Sequence, residues 1–305
     1  MDDALTRNSS NPQQELFDPI VKGVRNVIRE CAELRKKQDE QGVKDPLKRI
    51  IVTSSITAIS TEGRFNEKTK QWHYFNETEW NTTASLRDNV YAYCKVMAEK
   101  EAFEVLKQEY SSVPLEIVAV LPSTMFGPSL SKRKNIGQQP IISCMKDIPG
   151  FFRMYCASID VRDAAMAHVK AFEKRSVTSN ASDLVDPYFL PQHHRRVIAH
   201  NDTINTRQIC EALSNNPQTV KILKEQKIKL PTISFENSFG DFLFMMGAYF
   251  SAPKPQRDLI RGMVGKELHF SNKVLREEYG LTELISLDQS IIDTFHFIVQ
   301  NNILN

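Results

Sequence analysis

Apolar residues recur at helical spacing near the start of the chain. Six of them fall on one face of a helix between residues 15 and 37, namely Leu16, Ile20, Val24, Val27, Ile28 and Cys31. Pro19 is compatible with a first helical turn, where the N–H groups have no intrahelical partner. The pattern therefore predicts an amphipathic helix over residues 15–37.

Two short, continuously apolar runs follow, R-I-I-V-T-S-S at 49–55 and E-I-V-A-V-L-P at 116–122. Runs of this kind suit parallel strands that helices cover on both faces. Between them lie a polar stretch over 61–89 and a helical pattern over about 90–110. The order strand, helix, strand predicts a right-handed βαβ unit in a parallel sheet.

The pattern is less regular after residue 122. A glycine- and proline-rich loop precedes a predicted helix over 160–173, with Asp160 or Asp163 near its start as the expected cap. Farther along, the sequence predicts a strand at 197–199, a helix at 206–213 and a closing helix at 288–299.

Composition narrows the class of protein. The net charge of +2 in 305 residues gives no reason to expect a nucleic-acid partner. Five scattered cysteines without a C-x-x-C pair indicate neither a disulfide framework nor a metal site. The first 15 residues are polar, and the apolar run at 242–250 is too short to span a bilayer. We therefore expect a soluble cytoplasmic protein with no membrane partner.

The segment N-V-Y-A-Y-C-K at 89–95 contains candidate catalytic residues. Tyr91 and Lys95 are four residues apart and share one helix face, whereas Tyr93 points elsewhere. A nearby ammonium lowers the pKa of a phenol and helps it to exchange a proton near neutral pH. The pair alone is weak evidence, because chance produces about 0.6 such pairs in a chain of this composition.

Hydroxyl groups at the end of the first predicted strand strengthen the hypothesis. Ser54 and Ser55 come about 36 residues before Tyr91. Open α/β sheets bind their ligands at the carboxyl ends of parallel strands. A serine there can hold a carbonyl oxygen while the phenol donates its proton, so the serine, the tyrosine and the lysine form one constellation.

These segments resemble the extended short-chain dehydrogenase/reductase family, and most closely its dihydroflavonol reductase and cinnamoyl-CoA reductase branch. The resemblance covers about residues 8–300 and is strongest up to residue 175. The matching segments, in the family's order, are 11–28, R-I-I-V-T-S-S, F-N-E-T-E-W (75–80), N-V-Y-A-Y-C-K-V-M-A-E-K-E-A-F (89–103), L-P-S-T-M-F-G-P (121–128), D-V-R-D-A-A-M-A-H (160–168) and 270–281.

The resemblance implies reduction of an aldehyde or ketone with NADPH or NADH. Ser55, Tyr91 and Lys95 then match the family's catalytic serine, tyrosine and lysine. Tyr91 would be the general acid, Ser55 would orient the carbonyl, and Lys95 would tune Tyr91 and bind the nicotinamide ribose. Ser54 is the less favoured serine. Tyr91 and Lys95 would contact the cofactor together with a segment whose residues are Pro122, Ser123, Thr124 and Met125.

The resemblance also implies an α/β fold with a partial Rossmann-like parallel sheet. Residues 1–175 would form the C-terminal half of a dinucleotide-binding domain, and 176–305 a smaller substrate-side region. The family's glycine-rich G-x-x-G-x-x-G turn occurs nowhere in the sequence. We therefore expect the first strands of that sheet to be missing, the 49–53 strand to be an open edge, and dinucleotide binding to be weak or absent.

Two alternatives stay open at this point. One is a catalytically silent remnant or interaction module; the other is a nucleotide-sugar epimerase or steroid dehydrogenase of the same superfamily. Val90, Ala92 and Cys94 differ from the N-W-Y-C-Y-G-K of cinnamoyl-CoA reductases, which argues against a phenylpropanoid substrate.

Several other features are expected to be structural. We expect 193–196 (H-H-R-R) to be a solvated loop before a strand, and 239–250 to be ordinary core. His168 is expected to pack or to lie on the surface, and Lys132-Arg133-Lys134 to be a solvated loop. Arg162 and Asp163 are expected to brace their helix.

Overall fold

The computed structural model describes residues 9–174 and 194–304. Its α-helices are α1 (Asp18–Glu40), α2 (Val90–Glu109), α3 (Gln139–Lys146), α4 (Val161–Glu173), α5 (Thr206–Asn215), α6 (Pro217–Glu225), α7 (Ser238–Ser251), α8 (Lys254–Met263) and α9 (Leu287–Gln300). Its strands are β1 (Arg49–Thr53), β2 (Phe65–Asn66), β3 (Gln71–Trp72), β4 (Tyr74–Phe75), β5 (Glu116–Pro122), β6 (Thr124–Phe126), β7 (Gly150–Phe151), β8 (Tyr155–Asp160), β9 (His194–Ala199), β10 (Asp202–Asn205), β11 (Ile233–Ser234) and β12 (His269–Phe270).

The main sheet is parallel and has the order β1–β5–β9 within the described residues. Ile51 pairs with Val118 on one side of β5, and Val118 pairs with Arg195 on the other. The chain from β1 through α2 to β5 is the βαβ unit predicted from the sequence. Residues 117–121 of β5 are fully buried, whereas β1 is an outer strand with half-buried side chains. An α/β fold with a parallel sheet is confirmed.

Helices cover both faces of this sheet. On one face, α1 and α2 pack together over Ile117 and Leu121, with Ile28, Phe103 and Leu106 in the shared core. On the other face, the small side chains of α4 lie against β5 and β9, and they are Ala164, Ala167 and Ala171. Covering on both faces explains why β5 is apolar from Ile117 to Pro122.

A second group of elements lies beside the main sheet. The strands β6, β8 and β10 form a mixed sheet in which β8 is central. Helices α3, α5 and α9 pack on it through a separate core that includes Phe126, Ile141, Leu213 and Phe295. Because β5 runs almost directly into β6, the end of the main sheet and this second layer enclose a common space.

The apolar segment 239–250 is not ordinary core, and that prediction was wrong. It forms most of α7, where Phe239 and Phe250 are 66% and 79% exposed. Apolar composition alone cannot tell a buried helix from a helix with an open face. Within residues 9–174 and 194–304, no helix is both long and apolar enough to cross a membrane.

Candidate active site

A cavity of about 870 Å³ opens at the carboxyl ends of β1 and β5. All the predicted site residues border it, namely Ser55, Tyr91, Lys95, Pro122, Ser123, Thr124 and Met125. Ser54 lines it as well. The fold therefore brings together three segments that are separated by more than 25 residues in the sequence.

The first turn of α2 places Tyr91 at this cavity. Asn89 is the N-cap; its side-chain oxygen accepts a hydrogen bond from the Ala92 N–H, and its backbone is left-handed at φ 58°. Asparagine tolerates this conformation better than most residues. Asn89 thus starts the helix just before Tyr91, and Lys95 follows one turn later on the same face.

Lys95 is almost entirely buried, with 6% of its surface exposed. Its Nζ donates to the carbonyl oxygens of Thr53 and Ser54, each at 3.2 Å, and lies 5.8 Å from the centre of the Tyr91 ring. Burial lowers the pKa of Lys95, while the negative charge of Glu99 opposes that effect. The ammonium is therefore fixed between the strand end and the phenol.

The two serines at the strand end have different partners. Ser54 Oγ donates to the carboxylate of Glu99. Ser55 Oγ accepts from the Thr57 N–H at 3.2 Å and from the Thr57 hydroxyl at 3.0 Å. Because Ser55 Oγ acts as an acceptor in both bonds, its own proton can be donated into the cavity. This difference favours Ser55 over Ser54 as the group that faces a ligand.

The segment after β5 forms a further wall of the cavity. Ser123 is pinned to β9, because its N–H donates to the Ala199 carbonyl at 3.0 Å. Met125 is 43% exposed at the opening. Gly127 then turns the chain with φ 114°, and a side chain there would meet Val161 at 2.9 Å. Only glycine suits this turn, since it combines an unfavourable backbone conformation with a close neighbour.

Neighbours of the tyrosine–lysine pair point away from the cavity. Tyr93 stacks on Phe17 with ring centres 5.5 Å apart, and Cys94 is buried inside the protein. Burial raises the pKa of the Cys94 thiol to about 11, so this thiol stays protonated at neutral pH.

A buried ion pair beside the site was not predicted from the sequence. Glu99 and Arg196 are joined by a 2.5 Å hydrogen bond from the guanidinium Nε, with side chains 1% and 3% exposed. Arg196 belongs to β9, so the prediction of a solvated loop for 193–196 was wrong where the structure describes it. His193 lies outside the described residues. The spacing of Lys95 and Glu99, four residues on one helix, was the available signal.

The start of α4 has the structural role predicted for it. Asp160 is the N-cap and accepts hydrogen bonds from Arg162 and Ser290. Burial by itself would raise the pKa of Asp160, but these hydrogen bonds outweigh it and lower the pKa. Asp163 accepts a bond from the Ile285 N–H at 2.8 Å. Arg162 also lines the cavity, so this braced helix start forms part of its wall.

Other predicted features keep the positions expected of them. His168 is half-buried and forms a hydrogen bond with the Thr53 hydroxyl at 2.9 Å, and Lys132-Arg133-Lys134 is exposed.

Residues from the second half of the chain, Met263 and Leu268, complete the cavity. Among the described residues there is no cluster of His, Cys, Asp or Glu that could hold a metal ion.

Comparisons with known proteins give the relatives of this chain. No family model matches it. Over 181 residues it is 33% identical to the NADPH-dependent methylglyoxal reductase of Saccharomyces cerevisiae, covering 54% of this chain and 49% of the relative. Over 172 residues it is 29% identical to a cinnamoyl-CoA reductase of Medicago truncatula, covering 55% and 47%. The chain spans about half the length of the curated relatives it matches.

Solved structures show the same fold. The yeast methylglyoxal/isovaleraldehyde reductase complexed with NADPH superposes with a TM-score of 0.65 at 22% identity, covering 98% of this chain and 75% of that structure. A vestitone reductase from alfalfa (Medicago sativa) gives a TM-score of 0.58 at 15% identity, with 96% and 74% covered. In sequence this chain is similar to NADPH-dependent and cinnamoyl-CoA reductases, and in fold it matches solved structures of such reductases.

Proposed function

We propose that the protein reduces an aldehyde or ketone to an alcohol with NADPH. The observation that carries the proposal is the meeting of a serine hydroxyl, a phenol and a buried ammonium at one cavity, through Ser55, Tyr91 and Lys95. Two sequence relatives, an NADPH-dependent methylglyoxal reductase and a cinnamoyl-CoA reductase, support the same chemistry. The silent-remnant alternative has no such support.

Each of the three side chains has a distinct role in this proposal. Ser55 donates a hydrogen bond to the carbonyl oxygen and orients it. Tyr91 donates the proton that this oxygen requires as it becomes an alcohol. Lys95, held by two backbone carbonyls, stabilises negative charge on the Tyr91 oxygen as the proton leaves.

The cavity has room for the reactive end of a dinucleotide together with a small carbonyl compound. Its volume of about 870 Å³ lies at the upper end of the usual range for ligand pockets. Backbone groups of Pro122, Ser123, Thr124 and Met125 and the Lys95 ammonium would hold the nicotinamide ribose. When bound, NADPH supplies the hydride.

We also propose a division of labour along the chain. Residues 1–175 contain the catalytic side chains and the proposed ribose contacts, and 176–305 form a substrate-side region. Met263 and Leu268 support this division, because they add apolar surface to the cavity from the second part. Apolar walls favour carbonyl compounds with a hydrocarbon body.

The test is oxidation of NADPH, followed at 340 nm, with methylglyoxal and isovaleraldehyde as probe substrates and NADPH raised to millimolar concentration. Tyr91→Phe is expected to lower kcat/KM by roughly 100-fold or more, since it removes the proton donor. Tyr93→Phe is the matched control on the same helix, and it should leave turnover unchanged. Equal activity of Tyr91→Phe and the wild type would refute the assignment of the proton donor.

A further inference from the structure

Glu99 is buried beside the site, yet it does not line the cavity. It lies on α2 one turn after Lys95, and only 1% of its surface is exposed. A carboxylate so deeply buried is costly unless it is paired and hydrogen-bonded. One of its oxygens accepts from the Ser54 hydroxyl, and the other accepts from Arg196 Nε at 2.5 Å.

Arg196 is itself fixed by the segment that precedes the active-site helix. Its Nη1 donates to the carbonyl oxygens of Glu77 and Glu79 at 2.7 and 2.6 Å. The guanidinium carbon lies 3.9 Å from the centre of the Trp80 ring. Glu99 is therefore held in one position from β9 and from the 77–80 segment.

The arrangement connects Glu99 to Lys95 through a single residue. Ser54 donates its hydroxyl to Glu99 and accepts from Lys95 at its carbonyl oxygen. The same bond engages the hydroxyl proton of Ser54, whereas that of Ser55 stays available to a ligand. A charge at Glu99 thus acts on both the lysine and the serines.

We propose that Glu99 is a positioning residue, which holds Lys95 and the two strand-end serines in the arrangement that carbonyl reduction requires. This inference rests on the proposed function. Burial alone would favour a neutral amine at Lys95, and the negative charge of Glu99 counteracts it. The charge of Glu99 thus favours a cationic neighbour for Tyr91.

The charged groups around Lys95 oppose one another in sign. Glu99 on the same helix favours its protonated form. Arg196 from β9 is a cation paired with Glu99, and Arg162 on α4 is paired with Asp160 and Asp293. The side chains of 122–125 that border the cavity carry no ionisable group. Loss of Glu99 should therefore disfavour the protonated form of Lys95, whereas loss of the cation Arg196 should not.

The experiment uses the whole 305-residue chain labelled with ¹³C at the lysine ε-carbons. The signal of Lys95 is assigned by Lys95→Met and titrated by NMR. Glu99→Gln is expected to lower the pKa of Lys95 by about one unit or more. The alkaline fall of kcat should move to lower pH by the same amount. The control is Glu101→Gln, on the same helix as Glu99, which removes a carboxylate paired with Arg25 of α1. It should change neither the pKa of Lys95 nor the pH profile of kcat.

Arg196→Met separates positioning from mere support of the fold. Both substitutions break the same buried ion pair, so a purely structural role would affect them alike. We expect Arg196→Met to leave the pKa of Lys95 unchanged or raise it, while Glu99→Gln lowers it. Shifts in the same direction, or no shift with Glu99→Gln, would overturn the proposal.

If Glu99→Gln alone folds poorly, the double substitution Glu99→Gln/Arg196→Met is used, because it leaves neither half of this ion pair as an unpaired charge. Its Lys95 should titrate below that of Arg196→Met alone, and equal values would again overturn the proposal. A wild-type chain that oxidises no NADPH with either aldehyde contradicts the proposed function. The NMR titration still decides the positioning by Glu99 in that case.

Discussion

Glu77 gives the chain a pH-dependent stability that one substitution should remove. Its carboxyl group is buried near Arg196, and Oε1 accepts a hydrogen bond from the Ile198 N–H at 3.1 Å. Burial raises the pKa of Glu77 from 4.5 to about 7, despite the hydrogen bond from Ile198. Such a shift corresponds to roughly 3 kcal/mol of differential interaction.

The sign follows from proton linkage. A carboxyl group with a raised pKa in the folded state binds more protons there than in the unfolded chain. Its contribution to stability is complete below pH 4.5 and is lost as the pH rises to about 7. The wild type should therefore lose up to roughly 3 kcal/mol of unfolding free energy across this window through Glu77 alone.

Glu77→Gln preserves an acceptor for Ile198 and removes the titration. The free energies of unfolding of wild type and variant are measured by urea denaturation at pH 5 and pH 8. From pH 5 to pH 8, the unfolding free energy of the variant should rise by roughly 2 to 3 kcal/mol relative to that of the wild type. Glu67→Gln, at an exposed carboxylate paired with Lys70, is the control and should show no such gain. If the difference in unfolding free energy between Glu77→Gln and the wild type were the same at both pH values, the reasoning would be refuted.

Three further substitutions test other parts of the structure. Ser55→Ala should lower kcat/KM for the probe aldehydes by roughly 10- to 100-fold, with a small loss of stability because its hydrogen bonds with Thr57 are removed; an unchanged rate would remove Ser55 from the site. Gly127→Ala should destabilise the fold by roughly 1 to 3 kcal/mol, measured by urea denaturation, because it strains a positive φ and meets Val161. Phe250→Ser should change stability by less than about 0.5 kcal/mol, since this ring is 79% exposed; a larger loss would mean that α7 is packed in solution.

The elements with clear periodicity could be predicted from the sequence. The predicted helix at 90–110 is α2 over Val90–Glu109, and the predicted closing helix at 288–299 is α9 over Leu287–Gln300. Asp160 is the helix cap that its position indicated. These signals are local, because helical spacing and capping depend on residues within one or two turns.

The elements that were missed depend on distant contacts. β8 (Tyr155–Asp160) contains polar residues, yet it is the central strand of the second sheet. The 193–196 segment looked like a solvated loop because two arginines are rarely found in a buried strand. Arg196 is buried there only because Glu99, the carbonyl groups at 77 and 79, and Trp80 surround it.

For the site, the sequence by itself determined the chemical groups and their local order: a strand-end serine, a tyrosine and a lysine four residues later. Helix geometry fixes that Tyr91 and Lys95 share a face. Only the tertiary structure shows why the hydroxyl of Ser55 rather than that of Ser54 is available to donate to a ligand, because Ser54 already donates to Glu99. The choice depends on a buried ion pair between residues 97 positions apart, and such a pairing exists only once the sheet has formed.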